Sequence, residues 1–524
     1  MPTCLNVAYS WPSVHVNDGG VFLVRVEVGR QVVETLDFLA VGVSEVPVLD
    51  GLQLQLGQVL SVLFVLWFLS GFVMIYHNFP RITESERYHG LATCDTSAMA
   101  TADSLLRLLP AGRLSALALT TDGRGGVRLT YTSDGKTRTI GAQTTADGRV
   151  AYDEILRYAT RLNPSSIVRV DTVRHLDRWL TYDRNLDDLP AYRFHYADAT
   201  ELYVSSRTGE GVQHSTRADR FWAWIGAIPH WIYLFNLRHY TGLWRNVVII
   251  LSGVGALMCL FGLVVGVRMI VRQYRQRRRL GSPYRKPLYR WHHVAGLFFG
   301  LFVFTFAFSG MMSLQKVPQW LIRTHAPELA SAASDRSLPL APADYPLDYR
   351  QLLSAHNGRV QKIEWCGFGR RPYYRVVVGD SALCIDATTP YVRPLSLTAG
   401  EVEDFVRDLL PKSRVQATQL RDYDDYYIHK RMQLPLPVYR LTADDPDRSS
   451  FYINPATAEV RYFNANTRAR KWTYQALHSF SVKWILDRPV LWHMLMFGSM
   501  VGGTIVSLTS LWLLIRRLRR RQKQ

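Results

Sequence analysis

The sequence carries the same set of landmarks twice, and this tandem duplication constrains the fold more than any other feature. His230 and His478 lie 248 residues apart, and their surroundings match at that offset. The matching pairs are Trp224 and Trp472, Leu243-Trp244 and Leu491-Trp492, Gly255 and Gly503, and Arg268 and Arg516. Gly57 with Ser70-Gly71 matches Gly296 with Ser309-Gly310 at an offset of 239. Duplicated membrane halves tend to pack about a pseudo-two-fold axis with sites at their interface, so two equivalent histidines are candidates to share one ligand.

Four stretches of the chain contain no Asp, Glu, Lys or Arg. They are Val59–Tyr76, Asn246–Val267, Val294–Gln315 and Val490–Ile515. At about 1.5 Å of rise per residue, each is long enough to cross a hydrocarbon layer about 30 Å thick. We therefore expect four transmembrane helices.

The net charge of +19 is concentrated beside these stretches. Arg268–Arg290 holds nine Lys or Arg residues and no acid, and Arg516–Gln524 holds six and no acid. The positive-inside rule places both clusters in the cytoplasm, so the long loops Asn78–Arg245 and Lys316–Pro489 face outward and both termini lie inside. Anionic lipid headgroups are the expected partner of such clusters, and no nucleic acid is needed to explain them.

Both outward loops show alternating strand patterns broken by turns. In the first loop, strands are predicted at Leu114–Leu119, Val127–Thr132, Tyr192–Tyr196 and Glu201–Ser205, with a helix at Tyr152–Leu162. In the second loop, strands are predicted at Val360–Trp365, Tyr373–Val378, Val438–Leu441 and Ser450–Asn454, with a helix at Ala399–Leu410. The closest internal match is Leu189-Pro190-Ala191-Tyr192-Arg193 against Leu436-Pro437-Val438-Tyr439-Arg440.

These motifs resemble a known family. The LPxYR strand followed by YINPATAEV (Tyr452–Val460) resembles the PepSY domain, and WHHVAGLFFGLFVFTFAFSGMM (Trp291–Met312) resembles the PepSY-associated transmembrane family, as does AWIGAIPHWIYLFNLR (Ala223–Arg238). The resemblance covers roughly Gln55–Arg521. It implies a bacterial inner-membrane protein linked with iron acquisition, similar to haem-carrying reductases of ferric siderophores. Other PepSY proteins only bind or inhibit partners.

The resemblance and the hydropathy pattern together predict an α+β membrane protein with four transmembrane helices in two tandem repeats, each with a periplasmic α+β PepSY-like domain. The expected order is a cytosolic segment (1–54) with a strand-like run at 21–28, span one (55–77), PepSY-like domain one (78–218), interfacial helix and span two (219–270), a basic cytoplasmic loop (271–290), span three (291–315), PepSY-like domain two (316–468), interfacial helix and span four (469–515), and a basic tail (516–524).

The resemblance implies b-type haem, with one haem expected and two allowed. The chain has no CxxCH motif, which excludes c-type attachment. His230 and His478 each precede a span-entry Trp by fourteen residues, within an aromatic run typical of an interfacial helix. Either they only form hydrogen bonds at the interface, or the two repeats each give a neutral Nε2 to one haem iron while a neighbouring group holds the other nitrogen.

Four further histidines are candidate ligands. His77 and His493 fall at the outer edge of the spans and are not duplicated, so they form a second outer site together or simply sit at the interface.

His292 and His293 begin span three. The small-residue stripe at 293, 296, 300, 303 and 307 predicts that His293 faces the helix bundle. The stripe at 292, 295, 299, 302 and 306, which is mostly Phe, is predicted to face lipid. The family's His-x-x-x-Gly spacing fits His292. The counterparts in span one are Gln53 and Leu54, so an inner haem lacks a symmetric partner, and the alternative is a headgroup anchor.

The leading hypothesis is electron transfer from membrane quinol or another donor to a ferric siderophore or other iron chelate held between the outward domains. Arg370, Arg371, Tyr373, Tyr374 and the run Tyr423–Tyr427 are candidates for the chelate surface. The alternative is a non-enzymatic scaffold whose PepSY domains bind a partner protein or peptide. Spans without charged residues argue against ion-coupled transport.

Cys366 and Cys384, on neighbouring strand-like runs, allow but do not require a disulfide.

Overall fold

The computed structural model describes residues 13–16, 22–28, 31–33, 47–94, 99–278 and 280–521. Cys4 and the end of the basic tail lie outside them. The chain divides into two compact units, residues 1–60 and 61–524. The first unit contains a three-stranded antiparallel sheet of β1 (Ser13–Val16), β2 (Phe22–Val28) and β3 (Gln31–Val33), and β2 coincides with the strand-like run predicted at 21–28.

The remaining elements follow in chain order. The helices are α1 (Pro47–Tyr76), α2 (Glu84–His89), α3 (Met99–Leu106), α4 (Tyr152–Leu162), α5 (Arg217–Ile225), α6 (Ala227–His230), α7 (Phe235–Arg238), α8 (Thr241–Arg277), α9 (Pro287–Ser313), α10 (Leu329–Ala333), α11 (Arg350–Ala355), α12 (Ala399–Leu409), α13 (Ala465–Arg470), α14 (Leu477–Ser479), α15 (Lys483–Leu486) and α16 (Pro489–Arg521). The strands are β4 (Ala116–Thr121), β5 (Val127–Ser133), β6 (Lys136–Gly141), β7 (Ile167–Val173), β8 (Ala191–Tyr196), β9 (Glu201–Ser205), β10 (Gly211–Ser215), β11 (Val360–Phe368), β12 (Arg371–Val378), β13 (Ser381–Asp386), β14 (Arg393–Pro394), β15 (Val415–Leu420), β16 (Val438–Ala443), β17 (Ser450–Ile453) and β18 (Val460–Phe463).

Within the described residues, three helices are long and apolar enough to cross a membrane. They are α8, α9 and α16 as far as Arg520. The predicted first span falls in α1, whose apolar part in the described residues is the shorter stretch Leu60–Tyr76. The protein is therefore a mixed α+β membrane protein with three candidate spans, and the fourth span stays a prediction.

Small residues let the spanning helices approach one another, as is usual in membranes. A side chain at Gly300 of α9 would meet Leu263 of α8, and a side chain at Gly502 of α16 would overlap the ring of Phe299. The stripe of span three is buried as predicted at His293, Gly300, Val303 and Ala307, while Gly296 is half-buried. The predicted lipid face of α9 is wrong. On this face Phe299 packs against Gly502 of α16, and Phe306 contacts the ring of His478.

The two long loops, predicted to face outward, build one continuous seven-stranded sheet with the order β14-β13-β12-β11-β4-β5-β6. At its centre β4 and β11, the first sheet strand of each loop, pair antiparallel with Ile363 opposite Leu119. Both residues are fully buried. An antiparallel pair of equivalent strands is what a pseudo-two-fold axis between repeats produces. The loops are predicted as separate domains, and the sequence carries no signal for this shared strand pair.

Each loop also forms its own four-stranded antiparallel sheet, β10-β9-β8-β7 in the first and β15-β16-β17-β18 in the second. The duplicated LPxYR motif leads into β8 and β16, the equivalent strands of these sheets. The strands predicted from alternation agree closely with the observed ones, and the helix predicted at Tyr152–Leu162 has the observed bounds of α4.

Cys366 and Cys384 are both free thiols. Cys366 lies on β11 opposite Tyr373, and Cys384 lies on β13 opposite Arg375. Because β12 runs between these strands, the two cysteines are about two strand spacings apart, roughly 10 Å, which exceeds the reach of a disulfide.

Candidate cofactor-binding site

His230 and His478, one from each repeat, lie side by side. Their ring centroids are 6.1 Å apart and the ring planes are inclined at 66°. His230 ends α6, and His478 follows a π-helical turn, Lys471–Ala476, a distortion that is frequent at functional sites. Two imidazoles that bind one metal ion from opposite sides, each at about 2 Å, have centroids roughly 6 Å apart.

Matching serines fix the protonation of the two rings. The hydroxyl oxygen of Ser70 lies 3.2 Å from Nδ1 of His230, and that of Ser309 lies 2.9 Å from Nδ1 of His478. Each serine donates its own hydrogen to a carbonyl earlier in its helix, so it accepts from the imidazole. The carbonyl of Trp67 also accepts from Nδ1 of His230 at 3.2 Å. Nδ1 therefore carries the hydrogen in both rings, and Nε2 keeps the lone pair that a metal needs.

A second matching pair of contacts holds the histidine segments against the spans. The indole nitrogen of Trp244 donates to the carbonyl of Trp231 at 2.8 Å, and that of Trp492 donates to the carbonyl of Ser479 at 2.9 Å. Each acceptor is the residue directly after the histidine. The duplicated Trp at each span entry therefore orients the neighbouring imidazole. The spacing of fourteen residues in the sequence does not predict this contact.

The two imidazoles line a cavity of about 1010 Å³, at the upper end of the range for small-molecule sites. Its walls near the histidines are mostly apolar and include Phe64, Trp67, Phe68, Val303, Phe306, Met496 and Met500. A Cβ atom at Gly71 would lie 2.6 Å from Cε of Met500 and 3.6 Å from Cε1 of His230. The Ser-Gly pair thus supplies a hydroxyl for the imidazole and leaves room beside it.

The two histidines lie outside the spanning helices and are neutral near pH 7. Burial lowers the pKa of His230 to about 4. Burial, together with the neighbouring His230 and Lys430, lowers the pKa of His478 to about 3. Neutral imidazole is the form that ligates metals.

Four cationic side chains also line the cavity. They are Arg81, Lys430, Arg431 and Arg470, and none of the described lining residues is Asp or Glu. The cavity therefore suits a ligand with an apolar body, a centre that imidazoles can bind, and negative groups.

The structure does not bring His77 and His493 together. His77 stacks on Trp222 with centroids 4.2 Å apart and planes inclined at 4°. Nδ1 of His493 donates to the carbonyl of Pro489 at 2.7 Å, and the side chain is exposed. In the described part of the chain, no hydrogen bond or ring contact joins these two histidines, and a second outer site stays a prediction.

His293 is buried, in agreement with the stripe that predicts it to face the bundle. Its Nε2 lies 3.2 Å from the carbonyl oxygen of Gly266 and its Nδ1 lies 3.0 Å from the hydroxyl of Ser282. Because the carbonyl can only accept, Nε2 carries the hydrogen and Nδ1 accepts from the serine. Both nitrogens of His293 are used, which makes it an anchor between helices.

His292 resembles the outer pair more closely. Its Nδ1 lies 2.9 Å from the hydroxyl of Thr509, which itself donates to the carbonyl of Ile505 at 2.8 Å. Nε2 of His292 therefore keeps its lone pair. Among the described side chains, no hydrogen bond or ring contact brings a further histidine to it, and the side chains of Gln53 and Leu54 lie outside the described part.

Part of the chelate surface predicted from sequence is buried. Tyr373 is 0% exposed and Tyr374 is 1% exposed, and Arg371 pairs with Asp386 at 2.9 Å. Successive residues of a strand point to opposite faces, and β12 has a hydrophobic core on each face. The assignment of Tyr373 and Tyr374 to a chelate surface is therefore wrong. Arg371 is half-buried, and Arg370 is exposed and pairs with Asp408.

Sequence reasoning missed the groups that surround the histidines. Ser70 and Ser309 stand out only as repeat landmarks, although their shared offset of 239 is a signal for a common role. Lys430 and Arg470 carry no sequence signal, because the first repeat has no cation at the equivalent positions, Asp183 and Trp222.

Comparison with known protein families gives one match in two copies. A family model described as the PepSY-associated TM region matches residues 54–367 and again residues 289–518. The two matches together extend over residues 54–518, most of the chain, and their repetition agrees with the internal duplication. No curated protein sequence matches the chain.

Proposed function

Because the chain belongs to the PepSY-associated TM family, we propose that it is a b-type haem protein of the bacterial inner membrane that passes electrons to ferric siderophores or other iron chelates in the periplasm. The observation that carries the proposal is the imidazole pair, contributed by both repeats, in which Nε2 makes no hydrogen bond to any described residue. In this proposal α1 provides the fourth span, both termini are cytoplasmic, and the seven-stranded sheet lies in the periplasm.

The residues present fit a haem. His230 and His478 would hold the iron, since their centroid separation of 6.1 Å agrees with two imidazoles on one metal ion. The apolar walls formed by Phe68 and Phe306 exclude water, and the serine hydroxyls keep both rings in the ligating tautomer. A haem with two imidazole ligands supplies a one-electron couple whose potential depends on burial and hydrogen bonding.

We propose one haem in each chain, with electrons entering from membrane quinol. Both nitrogens of His293 form hydrogen bonds, and among the described residues no other histidine contacts His292 to act as a second metal ligand. The inner end of span three therefore lacks a ligand pair in the described structure. A site at the outer end of the spans is about 30 Å from the cytoplasm, too far for one efficient electron transfer. A donor that diffuses within the lipid bilayer avoids that distance.

The acceptor in this proposal is an iron(III) chelate bound on the periplasmic side. One electron converts it to iron(II), which hard oxygen donors such as hydroxamate or catecholate bind less tightly because of its lower charge. The iron is then released.

The absorption spectrum of the purified full-length protein tests the proposal. We expect a Soret band that shifts on reduction with dithionite, sharpened α-bands, and one haem per chain by pyridine haemochrome assay. A featureless visible spectrum after reconstitution with haem would refute the haem proposal and favour the scaffold that binds a partner protein or peptide. Two haems per chain would refute the single site and direct attention to His292.

A further inference from the structure

Two kinds of side chain line the cavity. The imidazoles stand among aromatic and other apolar side chains, and four cationic side chains line it as well, with no acidic residue among the described lining. Arg470 is half-buried, and the other three cations, Arg81, Lys430 and Arg431, are exposed. A cavity whose described lining carries four cations and no acid attracts an anionic ligand.

Lys430 is the least satisfied of these cations. In the described structure its ammonium group makes no hydrogen bond or ion pair, although its side chain is accessible within the cavity. Desolvation and the neighbouring Arg431 lower the pKa of Lys430 to about 8. An anion next to the ammonium group would remove this penalty.

The other cations are partly held by the protein. Arg431 donates to the carbonyls of Met74 and Ile75 at the end of α1. Arg470 donates through Nη2 to the carbonyl of Ser313 at 2.6 Å, while its Nε is buried without a partner. Arg470 therefore still has donor capacity for a ligand.

Lys430 belongs to a segment, Tyr423–Pro435, that we call the cationic strap. Tyr427 is 2% exposed and stacks on Tyr452 with centroids 5.4 Å apart and planes inclined at 9°. Its hydroxyl donates to the carbonyl of Pro435 at 2.8 Å, which closes the strap on itself. Together with the contact of Arg431 to α1, these interactions fix the strap at both ends and hold Lys430 over the cavity.

We propose that Lys430 and Arg470 bind the carboxylates of the ligand whose centre lies between His230 and His478. This inference rests on the proposed function and deepens it, because a porphyrin with two carboxylates would bring the negative charge that the described cavity lining lacks. A phosphate from an anionic lipid headgroup shares the same anionic chemistry, so the test separates the two sources.

The test measures carboxylate recognition without iron. Full-length protein in nanodiscs of zwitterionic lipid is titrated with protoporphyrin IX and with its dimethyl ester, following porphyrin fluorescence. We expect the diacid to bind at least tenfold more tightly than the ester. Lys430→Met should remove most of this difference by weakening the diacid alone, and Arg470→Met should act in the same direction. Lys430→Arg should retain the preference and shows that the fold tolerates substitution.

Lys412→Met is the matched control, because Lys412 is an exposed lysine of the same loop that does not line the cavity. Equal binding of diacid and ester by the unmodified protein, an equal loss of both in Lys430→Met, or no porphyrin binding at all would overturn the inference. If phosphatidylglycerol in the nanodisc weakens diacid binding to the unmodified protein but not to Lys430→Met, the cations bind lipid phosphate and the assignment to porphyrin carboxylates is wrong.

The two proposals can fail separately. A diacid preference that depends on Lys430, without a haem spectrum sensitive to His230, supports the inference and refutes haem ligation. A haem spectrum sensitive to both histidines, with equal binding of diacid and ester, supports the proposed function and overturns the inference.

Discussion

The two repeats agree closely where they support the histidine site and diverge where they line the cavity with cations. Asp177 accepts from the hydroxyl of Tyr203 at 2.7 Å, and its equivalent Asp424 accepts from the hydroxyl of Tyr452 at 2.7 Å. Each aspartate also accepts from two backbone N–H groups that follow it. The two outward loops thus keep the same aspartate-centred turn, which begins the cationic strap in the second repeat.

The divergence follows a few residues later. The second repeat has His429-Lys430-Arg431, and the first has Tyr182-Asp183-Arg184 at the equivalent positions. Asp183 accepts from the hydroxyl of Thr241 at 2.9 Å and does not line the cavity. Duplication therefore provides two equivalent imidazoles in the cavity, and the difference between the copies provides Lys430 from the second repeat alone. A ligand with a symmetric metal centre and carboxylates at one edge requires both properties.

The largest expected effect tests whether His230 and His478, one from each repeat, contribute equally to haem binding. His230→Ala and His478→Ala should each abolish or severely deplete the same haem, because one imidazole alone holds a non-covalent haem loosely. The absorption spectrum of the purified variants, with haem-to-protein ratios, measures this. His493→Ala, at an exposed histidine outside the cavity lining, is the control and should retain full haem. Full haem in either of the first two variants would show that the repeats are not equivalent ligands.

The next effect tests the connection between the repeats in the outward sheet. Nζ of Lys362 lies 2.7 Å from Glu210 of the first loop and 2.9 Å from Glu364 of the second. Removing one partner of a buried ion pair destabilises a protein by about 3–5 kcal/mol. Lys362→Met should therefore lower the thermal unfolding midpoint of the outward domains, followed by tryptophan fluorescence, while Lys412→Met should not. An unchanged midpoint would mean that the shared sheet alone joins the loops.

The same cluster predicts the direction of acid destabilisation. Although burial favours the protonated acid, Lys362 and Arg375 lower the pKa of Glu364 to about 2, below its usual value of 4.5. The stabilisation is present above about pH 4.5 and is lost as the pH falls toward 2. Glu364→Gln should reduce the dependence of the unfolding midpoint on pH in that window.

The sequence predicts local elements and the equivalence of the repeats better than it predicts contacts between them. Alternation and turn residues give the strands around the LPxYR motif, because those signals are local. The pairing of Ile363 with Leu119 joins segments more than 240 residues apart and has no local signal. In the same way the histidines are conspicuous as duplicated residues, whereas Lys430 is one lysine in a polar loop until the fold brings it to the cavity.

The smallest expected effect concerns the serines that orient the imidazoles. Ser70→Ala and Ser309→Ala should both retain haem but weaken its binding by about 10–100-fold, the usual effect of removing the partner of a metal-bound histidine. The reduction potential should also shift, because loss of the hydroxyl changes the electron donation of the ring. Ser70→Thr and Ser309→Thr keep a hydroxyl and should restore both properties, which a purely structural role would not require.

Ser499→Ala is the matched control, since Ser499 is also buried and also donates to a carbonyl of its own helix but does not line the cavity. Equal effects at Ser70 and Ser309 would extend the equivalence of the repeats from the ligands to their supports. An effect at only one serine would place the first difference between the repeats beside the metal, closer to the chemistry than the cationic strap.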